Sequence, residues 1–548
     1  MSSAIFYSKD AFRINKKKTM GRQVAGNDFL QAYCKYTEYS EFWLYSKTKE
    51  EANDFAQFAK SEGVNKPINF ISYGNTGALK EPGLLFYPGP DLSNISRNRS
   101  FFKNNSWSIC GVTHTTSSSR VMREIESIVY SPIQKWDALI CTSKSVHSNV
   151  LKILKVTEEN LKNKLHATKF TRPELPVIPL GINTSQFNFT HKEKSEARQT
   201  YKINNDEVVV LYVGRLSFHA KANPFPMYKA LEAASKKADK KLVLIECGWF
   251  PNNELKNAFV KASEYLCPNI RVVHADGNNS NIKLKAFAAA DIFCSFADNI
   301  QETFGITPIE AMASGLPVIA SDWDGYKDSI RDNIDGFLIP TLMPPSGLGV
   351  DLAFRYALEI DTYDRYIGYT SNLISVDIES ATKALYTLLT NERLRKEMGK
   401  NAKSRAISNF DWSEIMVKYI DLWRDLKKVR QSSDSVLFTY KSADRLDPFC
   451  AFSSYSTSVP SEKSTIRLIE KDAIISFKRM KEIKELYMIN YASYVIPDEA
   501  FVDKLFNYVE NNDKSIKELM IYFSSINYNV LIRSIIWLHK FNLINIKV

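Results

Sequence analysis

Two glutamates, Glu302 and Glu310, flank a glycine-containing turn in "QETFGITPIEAMASGLP", Gln301 to Pro317. A carboxylate pair near a glycine is open to four readings: an acid–base couple, a metal site, a sugar clamp or a helix cap. The cap has a definite form here. Thr307-Pro308-Ile309-Glu310 spells a capping box, with Thr307 as N-cap, Pro308 opening the helix and Glu310 at its third position. Gly315 in the left-handed conformation and Pro317 then stop the helix. The cap leaves Glu302 unexplained, because that residue lies outside the helix. With Glu310 starting a helix and Glu302 preceding its turn, both carboxylates face one cleft. Carboxylates accept hydrogen bonds from hydroxyls, so the pair suits a polyol, a sugar or a ribose.

Arg215 and Lys221 share the loop "GRLSFHAK" beyond the apolar run "VVVLYV". A fork-shaped guanidinium and a point-charge ammonium in one loop suit a diphosphate. Taken alone, they read as solvated surface cations. His114, in "CGVTHTTSSSR", directly follows another apolar run. It is either a locally packed histidine or a hydrogen-bonding group on a cleft floor.

The elements that must position these residues are legible as apolar runs. "AIFYS", "EFWLYS", "INFISY", "GLLFYP", "SICGV" and "DALICTS" alternate with helical patterns such as "KEEANDFAQFAKS". A second series, "EVVVLYVG", "KLVLIE", "NIRVVHA", "DIFCSF", "LPVIAS" and "GFLIP", follows in the same rhythm. Near-continuous apolar strands separated by helices predict parallel sheets covered on both faces, hence two successive doubly wound α/β domains. Their ligands lie beyond the carboxyl ends of the strands, which is where the unusual residues fall. After about Gln431 the chain turns Ser-rich and aperiodic, then helical. The predicted division is 1–185, 186–430, a linker at 431–465 and a helical appendage at 466–548.

Composition bounds the rest. A 548-residue chain with 44% hydrophobic residues is globular with several cores. Seven scattered cysteines without CxxC spacing argue against a zinc site or disulfide framework and fit a reducing cytosol. The N-terminal stretch lacks a signal-peptide core and no apolar run reaches membrane-spanning length, so a cytoplasmic location is expected. A net charge of +11 favours phosphate-bearing substrates or a membrane surface over nucleic acid.

"ETFGITPIEAMASGLPVIAS" resembles the Glu-x7-Glu motif of retaining GT-B glycosyltransferases, family 4 in particular. "GRLSFHAK" is similar to that family's Gly-Arg…Lys phosphate loop, and "VIPLGINTSQF" to its interdomain segment. "FDWSEIMVKYIDLW", Phe410–Trp423, resembles the closing helix that crosses back to the first domain. The resemblance covers roughly residues 1–430 and implies a GT-B fold with two Rossmann-like domains facing a cleft. It implies that Glu310 binds ribose hydroxyls, Glu302 the donor sugar, and Arg215 and Lys221 the diphosphate. The backbone of Phe304, Gly305 and Ile306 would assist, His114 would contact the sugar, and Gly21 or Gly26 in "MGRQVAGNDF" would form the loop under the diphosphate. Two cations on the leaving group replace a metal, so no metal or cofactor is expected beside the nucleotide diphosphate sugar as co-substrate. Asp322 and Asp324 in "DWD" are then a turn rather than a metal site. Retention without an evident nucleophile favours same-face attack.

The implied function is transfer of a sugar to a glycan or lipid-linked acceptor, as in cell-surface polysaccharide synthesis, with peripheral contact at the inner membrane face. The basic run Arg13–Lys18, "RINKKK", is a solvated face or a receiver of an acceptor phosphate. This sequence departs from the family pattern at Ala222, where glycine is usual. It also carries an insertion over 342–375, read as a lid or partner surface or, preferentially, as core packing of an added helix. A phosphorylase or epimerase of the same fold would need a cofactor lysine or added acid–base carboxylates that no motif marks. The tail after residue 465 has the helix–turn–helix–strand rhythm of a winged helix. It serves either as a docking or self-association module or as a DNA-binding one. The succession Ile535, Ile536, Trp537 and Leu538 favours packing over groove reading.

Overall fold

The computed structural model describes residues 2–13, 21–434 and 442–548. It divides into two compact units, Met1–Tyr440 and Lys441–Val548.

The first unit contains two six-stranded sheets. In the first lie β1 (Ala4–Phe6), β2 (Phe42–Ser46), β3 (Ile68–Ser72), β4 (Leu84–Tyr87), β5 (Ser108–Val112) and β6 (Ala138–Ile140), in the order β3-β2-β1-β4-β5-β6. The second contains β7 (Val208–Val213), β8 (Leu242–Gly248), β9 (Arg271–Asp276), β10 (Ile292–Ser295), β11 (Val318–Ser321) and β12 (Gly336–Ile339), ordered β12-β11-β10-β7-β8-β9. Every pairing within them is parallel. Both sheets have the same winding, with direction reversing between β1 and β4 and between β7 and β10. These reversals open a crevice at the carboxyl ends of the strands. Sheets covered on both faces need apolar residues at every position, and all of β5, β7 and β10 are buried.

The segment after the helix Lys144–Leu165 lies beside β6 and pairs with it only through bridges at Glu174 and Val177. Pro173, Pro176 and Pro179 lack the N–H groups that a continuous ladder requires. The chain then crosses to the second sheet at Ile182, whose amide and carbonyl bond the backbone of Phe410 and Trp412. From Asp411, which caps the helix Trp412–Gln431, the chain returns. Trp412, Ile415, Met416, Tyr419, Trp423 and Leu426 are buried in the core of the first sheet. The closing helix thus belongs by sequence to the end of the second lobe and by packing to the first.

The insertion packs as an added helix only in its second half, where Ile367 is buried. Thr341–Leu342 pairs antiparallel with Ser375–Val376, setting off the helices Val350–Ala357 and Tyr363–Ser371. The first of these has no buried residue, and Phe354 is 60% exposed. Its apolar residues point outward, while its Tyr356 hydroxyl bonds Ser119 of the first lobe.

The second unit has a three-stranded antiparallel sheet in which Thr465–Leu468 lies between Lys514–Ser515 and Ile544–Lys547. The helices Ile516–Tyr522 and Tyr528–Lys540 precede the last strand, giving the helix–turn–helix–strand rhythm. Ile535, Trp537 and Leu538 are buried in this unit's own core, and Ile536 faces outward.

Candidate active site

Because β7 and β10 are neighbours, the loops beyond them meet. Lys221, after β7, forms an ion pair and hydrogen bond with Glu302 Oε2, after β10. Arg215 donates from Nη2 to the Ala220 carbonyl and to Gln301 Oε1, each at 2.9 Å. Arg215, Lys221 and Glu302 therefore share one site, as their spacing after strands implied. Ala222, where a glycine was expected, is 7% exposed and packs its methyl into the core without a left-handed backbone.

The Glu302 side chain is only 9% exposed. Burial pushes its carboxyl up, but the charge and hydrogen bond of Lys221 and the amides of Thr303 and Phe304 together hold it below the ordinary glutamate value. Glu302 is thus an anion at neutral pH, and the Phe304 amide is already committed to it. The Phe304 ring is buried 6.1 Å from that of Phe410.

The capping box is not formed. The helix runs Ile306–Ala313, with Gly305 as N-cap at φ 82° and no side-chain cap. Gly305 allows the chain to enter the helix before Thr307, so Glu310 sits too far along to reach the N-cap. A β-carbon at Gly305 would lie 2.1 Å from Tyr326 Cε1, so the turn requires glycine. The first amides of this helix, Ile306 among them, are left without a side-chain acceptor, as a phosphate-binding helix end needs. At the other end Gly315 takes φ 81°, as expected.

Freed from the cap, Glu310 accepts a hydrogen bond on Oε1 from Lys283 Nζ at 2.6 Å. Its Oε2 is buried and has no protein partner. A carboxylate oxygen withdrawn from water and unpaired is costly, and a ligand hydroxyl would satisfy it. Lys283 was not singled out by sequence. Its signal is weak: it lies in the helix Ser280–Ala289 that follows β9.

The first lobe faces this group. Burial and then the charge of Glu310 raise the Asp28 carboxyl to about 6, so the two carboxylates sense one another across the cleft. Asp28 belongs to the helix Gly21–Tyr36, which also corrects an expectation. Gly26 is inside that helix rather than in a diphosphate loop, and a β-carbon there would come within 2.3 Å of the Ala11 carbonyl oxygen. Gly26 serves close packing; Gly21, at the helix start, has open space around it. His114 follows β5, half-buried, beside a small apolar pocket that includes Phe12, Phe86, Leu180 and Trp412.

Asp322–Asp324 forms a turn, with the Trp323 amide bonded to the Ser321 carbonyl. Asp324 accepts from Ser143 Oγ at 2.9 Å and Asp328 from the Lys144 amide at 2.7 Å, joining the lobes at the start of the helix Lys144–Leu165. In the basic run, Arg13 pairs with Asp54 at 3.0 Å and covers the Phe58 ring; residues 14–18 lie outside the described residues. Among the described residues, no helix is long and apolar enough to cross a membrane.

Residues 193–343 match the family model of glycosyl transferases group 1. The chain is 26% identical over 245 residues to an uncharacterized glycosyltransferase of Methanocaldococcus jannaschii, covering 44% of this chain and 56% of that one. It is 31% identical over 134 residues to a phosphatidyl-myo-inositol mannosyltransferase of Mycobacterium leprae, covering 24% of this chain and 26% of the relative. The chain thus spans about half the length, or less, of these curated relatives. A solved glycosyltransferase structure from Rickettsia africae superposes with a TM-score of 0.50 at 16% identity, over 78% of this chain and 99% of that one, which shows the shared fold.

Proposed function

We propose, from the membership of this chain in the GT-B glycosyltransferases of family 4 type, that it transfers a sugar from a nucleoside diphosphate sugar to a hydroxyl of a glycan or lipid-linked acceptor. The observation that carries the reading is the pairing of two unlike sites on adjacent loops. An orphaned carboxylate oxygen on Glu310 is suited to a ribose, and a two-cation loop is suited to the diphosphate between ribose and sugar.

In this reading the diphosphate lies against Arg215, Lys221 and the uncapped helix end at Gly305–Ile306. Glu302, kept anionic by Lys221, accepts hydrogen bonds from donor-sugar hydroxyls, and His114 approaches the sugar from the first lobe. As the bond between the anomeric carbon and the diphosphate oxygen breaks, negative charge grows on the departing phosphate. Arg215 and Lys221 stabilise that charge more than they stabilise the bound donor, which is the condition for rate enhancement. The acceptor oxygen bonds to the anomeric carbon from the same face, and its proton passes to the departing phosphate oxygen, giving retention. Capture of a glycosyl adduct on a cleft carboxylate would contradict this course.

The second reading gives the Lys441–Val548 unit a docking or DNA-binding role. Against its DNA form stand the near-even balance of acidic and basic residues after position 441 and the burial of Ile535, Trp537 and Leu538.

Thermal-shift titration with UDP-, GDP- and ADP-sugars tests the main reading. One of the three raises the melting temperature with a concentration dependence that follows RT ln(1 + [L]/Kd), about 2.7 kcal/mol at a hundredfold excess over Kd. The absence of a shift with every nucleotide sugar and nucleoside diphosphate contradicts it.

A further inference from the structure

We propose that Tyr363, carried by the insertion, is a positioning residue that fixes the Gln301 amide and through it the Arg215 guanidinium, an inference that rests on the transfer reading above. The Tyr363 hydroxyl lies 2.7 Å from Ser117 Oγ and 3.5 Å from Thr115 Oγ1, in the loop that begins at His114. From the other side it accepts a hydrogen bond from Gln301 Nε2 at 3.2 Å. One phenol thus touches the post-β5 loop of the first lobe and the post-β10 loop of the second.

The chemistry of the amide makes this contact directional. A guanidinium has only donors, so Gln301 must turn Oε1 toward Arg215, and it does so at 2.9 Å. The NH2 group must then point away, and the Tyr363 oxygen is the acceptor that receives it. A phenol oxygen that accepts from Gln301 can still donate its own proton to Ser117. Without that acceptor the amide is free to rotate by half a turn, placing donors against donors at Arg215. The guanidinium would keep its Ala220 contact but lose the second anchor that sets the direction of its remaining N–H groups.

The surrounding structure holds the phenol in place. Tyr356, from the preceding helix of the insertion, accepts from the Ser119 amide at 3.2 Å and stacks on Tyr366 at 4.6 Å. Gly368, one turn beyond Tyr363, packs against His219 of the phosphate loop, where a β-carbon would lie 3.1 Å from His219 Cβ. His219 also accepts on its carbonyl from Asn299 Nδ2 at 2.7 Å, and Asn299 Oδ1 accepts from the Gln301 backbone N–H at 2.9 Å. The insertion therefore borders the phosphate loop and the Gln301 loop at once. This makes it part of the transfer site, although its first helix buries no residue.

The test uses the full chain and four forms: unmodified, Tyr363→Phe, Gln301→Leu and the double variant. Turnover is read as hydrolysis or transfer with UDP-glucose, GDP-mannose and ADP-glucose, together with KM for the donor and melting temperature. Tyr363→Phe keeps the ring and its neighbours. It is expected to lower kcat about tenfold, since one oriented hydrogen bond to a charged network is at stake. KM for the donor should stay within about twofold, because the cation acts on charge that develops in the transition state. The double variant should be no slower than Gln301→Leu alone, as expected if both changes break one chain of contacts. Unchanged kcat in Tyr363→Phe, or effects of the two changes that multiply, would overturn the inference. So would a lowered melting temperature with normal turnover, which would mark a purely structural tyrosine. If the unmodified chain turns over none of the three donors, it is the transfer reading itself that falls.

Discussion

Lys221→Ala is expected to lower kcat for sugar transfer about a thousandfold while leaving the fold intact. The magnitude follows from what the ammonium does. It faces the charge that accumulates on the departing phosphate, and losing one pre-positioned electrostatic group at such a centre costs about 3–4 kcal/mol of transition-state stabilisation. A second consequence is specific to this site. Lys221 is the partner of Glu302, whose side chain is 9% exposed, so its removal takes away a charge and a hydrogen bond that lower that carboxyl and leaves burial opposed by the Thr303 and Phe304 amides. The Glu302 carboxyl is then expected to rise. In the parent chain, activity that depends on anionic Glu302 is lost only as pH falls through its depressed pKa; in Lys221→Ala that acid limb moves to higher pH. A pH–rate profile of the residual activity checks this. A normal rate, or an unmoved acid limb, would separate Lys221 from the chemistry.

Glu310→Gln is expected to weaken nucleotide binding by about 10- to 100-fold, the range for losing charge-assisted hydrogen bonds to a ligand hydroxyl. The amide retains the shape of the carboxylate but can no longer accept on both oxygens, and Lys283 loses its anionic partner. Had Glu310 served as the third residue of a capping box, the same change would loosen the helix by about 1 kcal/mol and spare binding. The observed cap at Gly305 removes that alternative. Calorimetric titration with the matching nucleoside diphosphate separates the outcomes: retained affinity with a lowered melting temperature would speak for a structural glutamate.

How far these residues could be read without coordinates depended on the range of the contacts involved. Runs such as "VVVLYV" and "SICGV" announced strands because sheets covered on both faces leave no polar position. The position of Arg215, Lys221 and Glu302 after such strands then followed from the rule for doubly wound sheets. The prolines of 173–179 were visible, yet their effect on the edge of the first sheet depends on which neighbour they meet. The capping box was a plausible local pattern defeated by one backbone angle, since glycine at 305 admits an earlier helix start than Thr307 does. Gly26 was ambiguous for the same reason: a glycine serves a loop and a close helix contact equally, and only the Ala11 carbonyl decides. Lys283 and Tyr363 were illegible because each acquires meaning through a partner far away in sequence, Glu310 and Gln301 respectively. The insertion was read preferentially as core packing of an added helix; its first helix turns its apolar side chains outward, whereas the second buries Ile367.

The central claim is that loops from two lobes enclose one nucleoside diphosphate sugar. A crystal structure of the full chain with the nucleoside diphosphate that stabilises it tests this most directly. The account predicts ribose hydroxyls on Glu310 Oε2 and the diphosphate between Arg215, Lys221 and the helix end at Gly305. A nucleotide bound elsewhere, or one in this cleft with Glu310 still facing only Lys283, would contradict it.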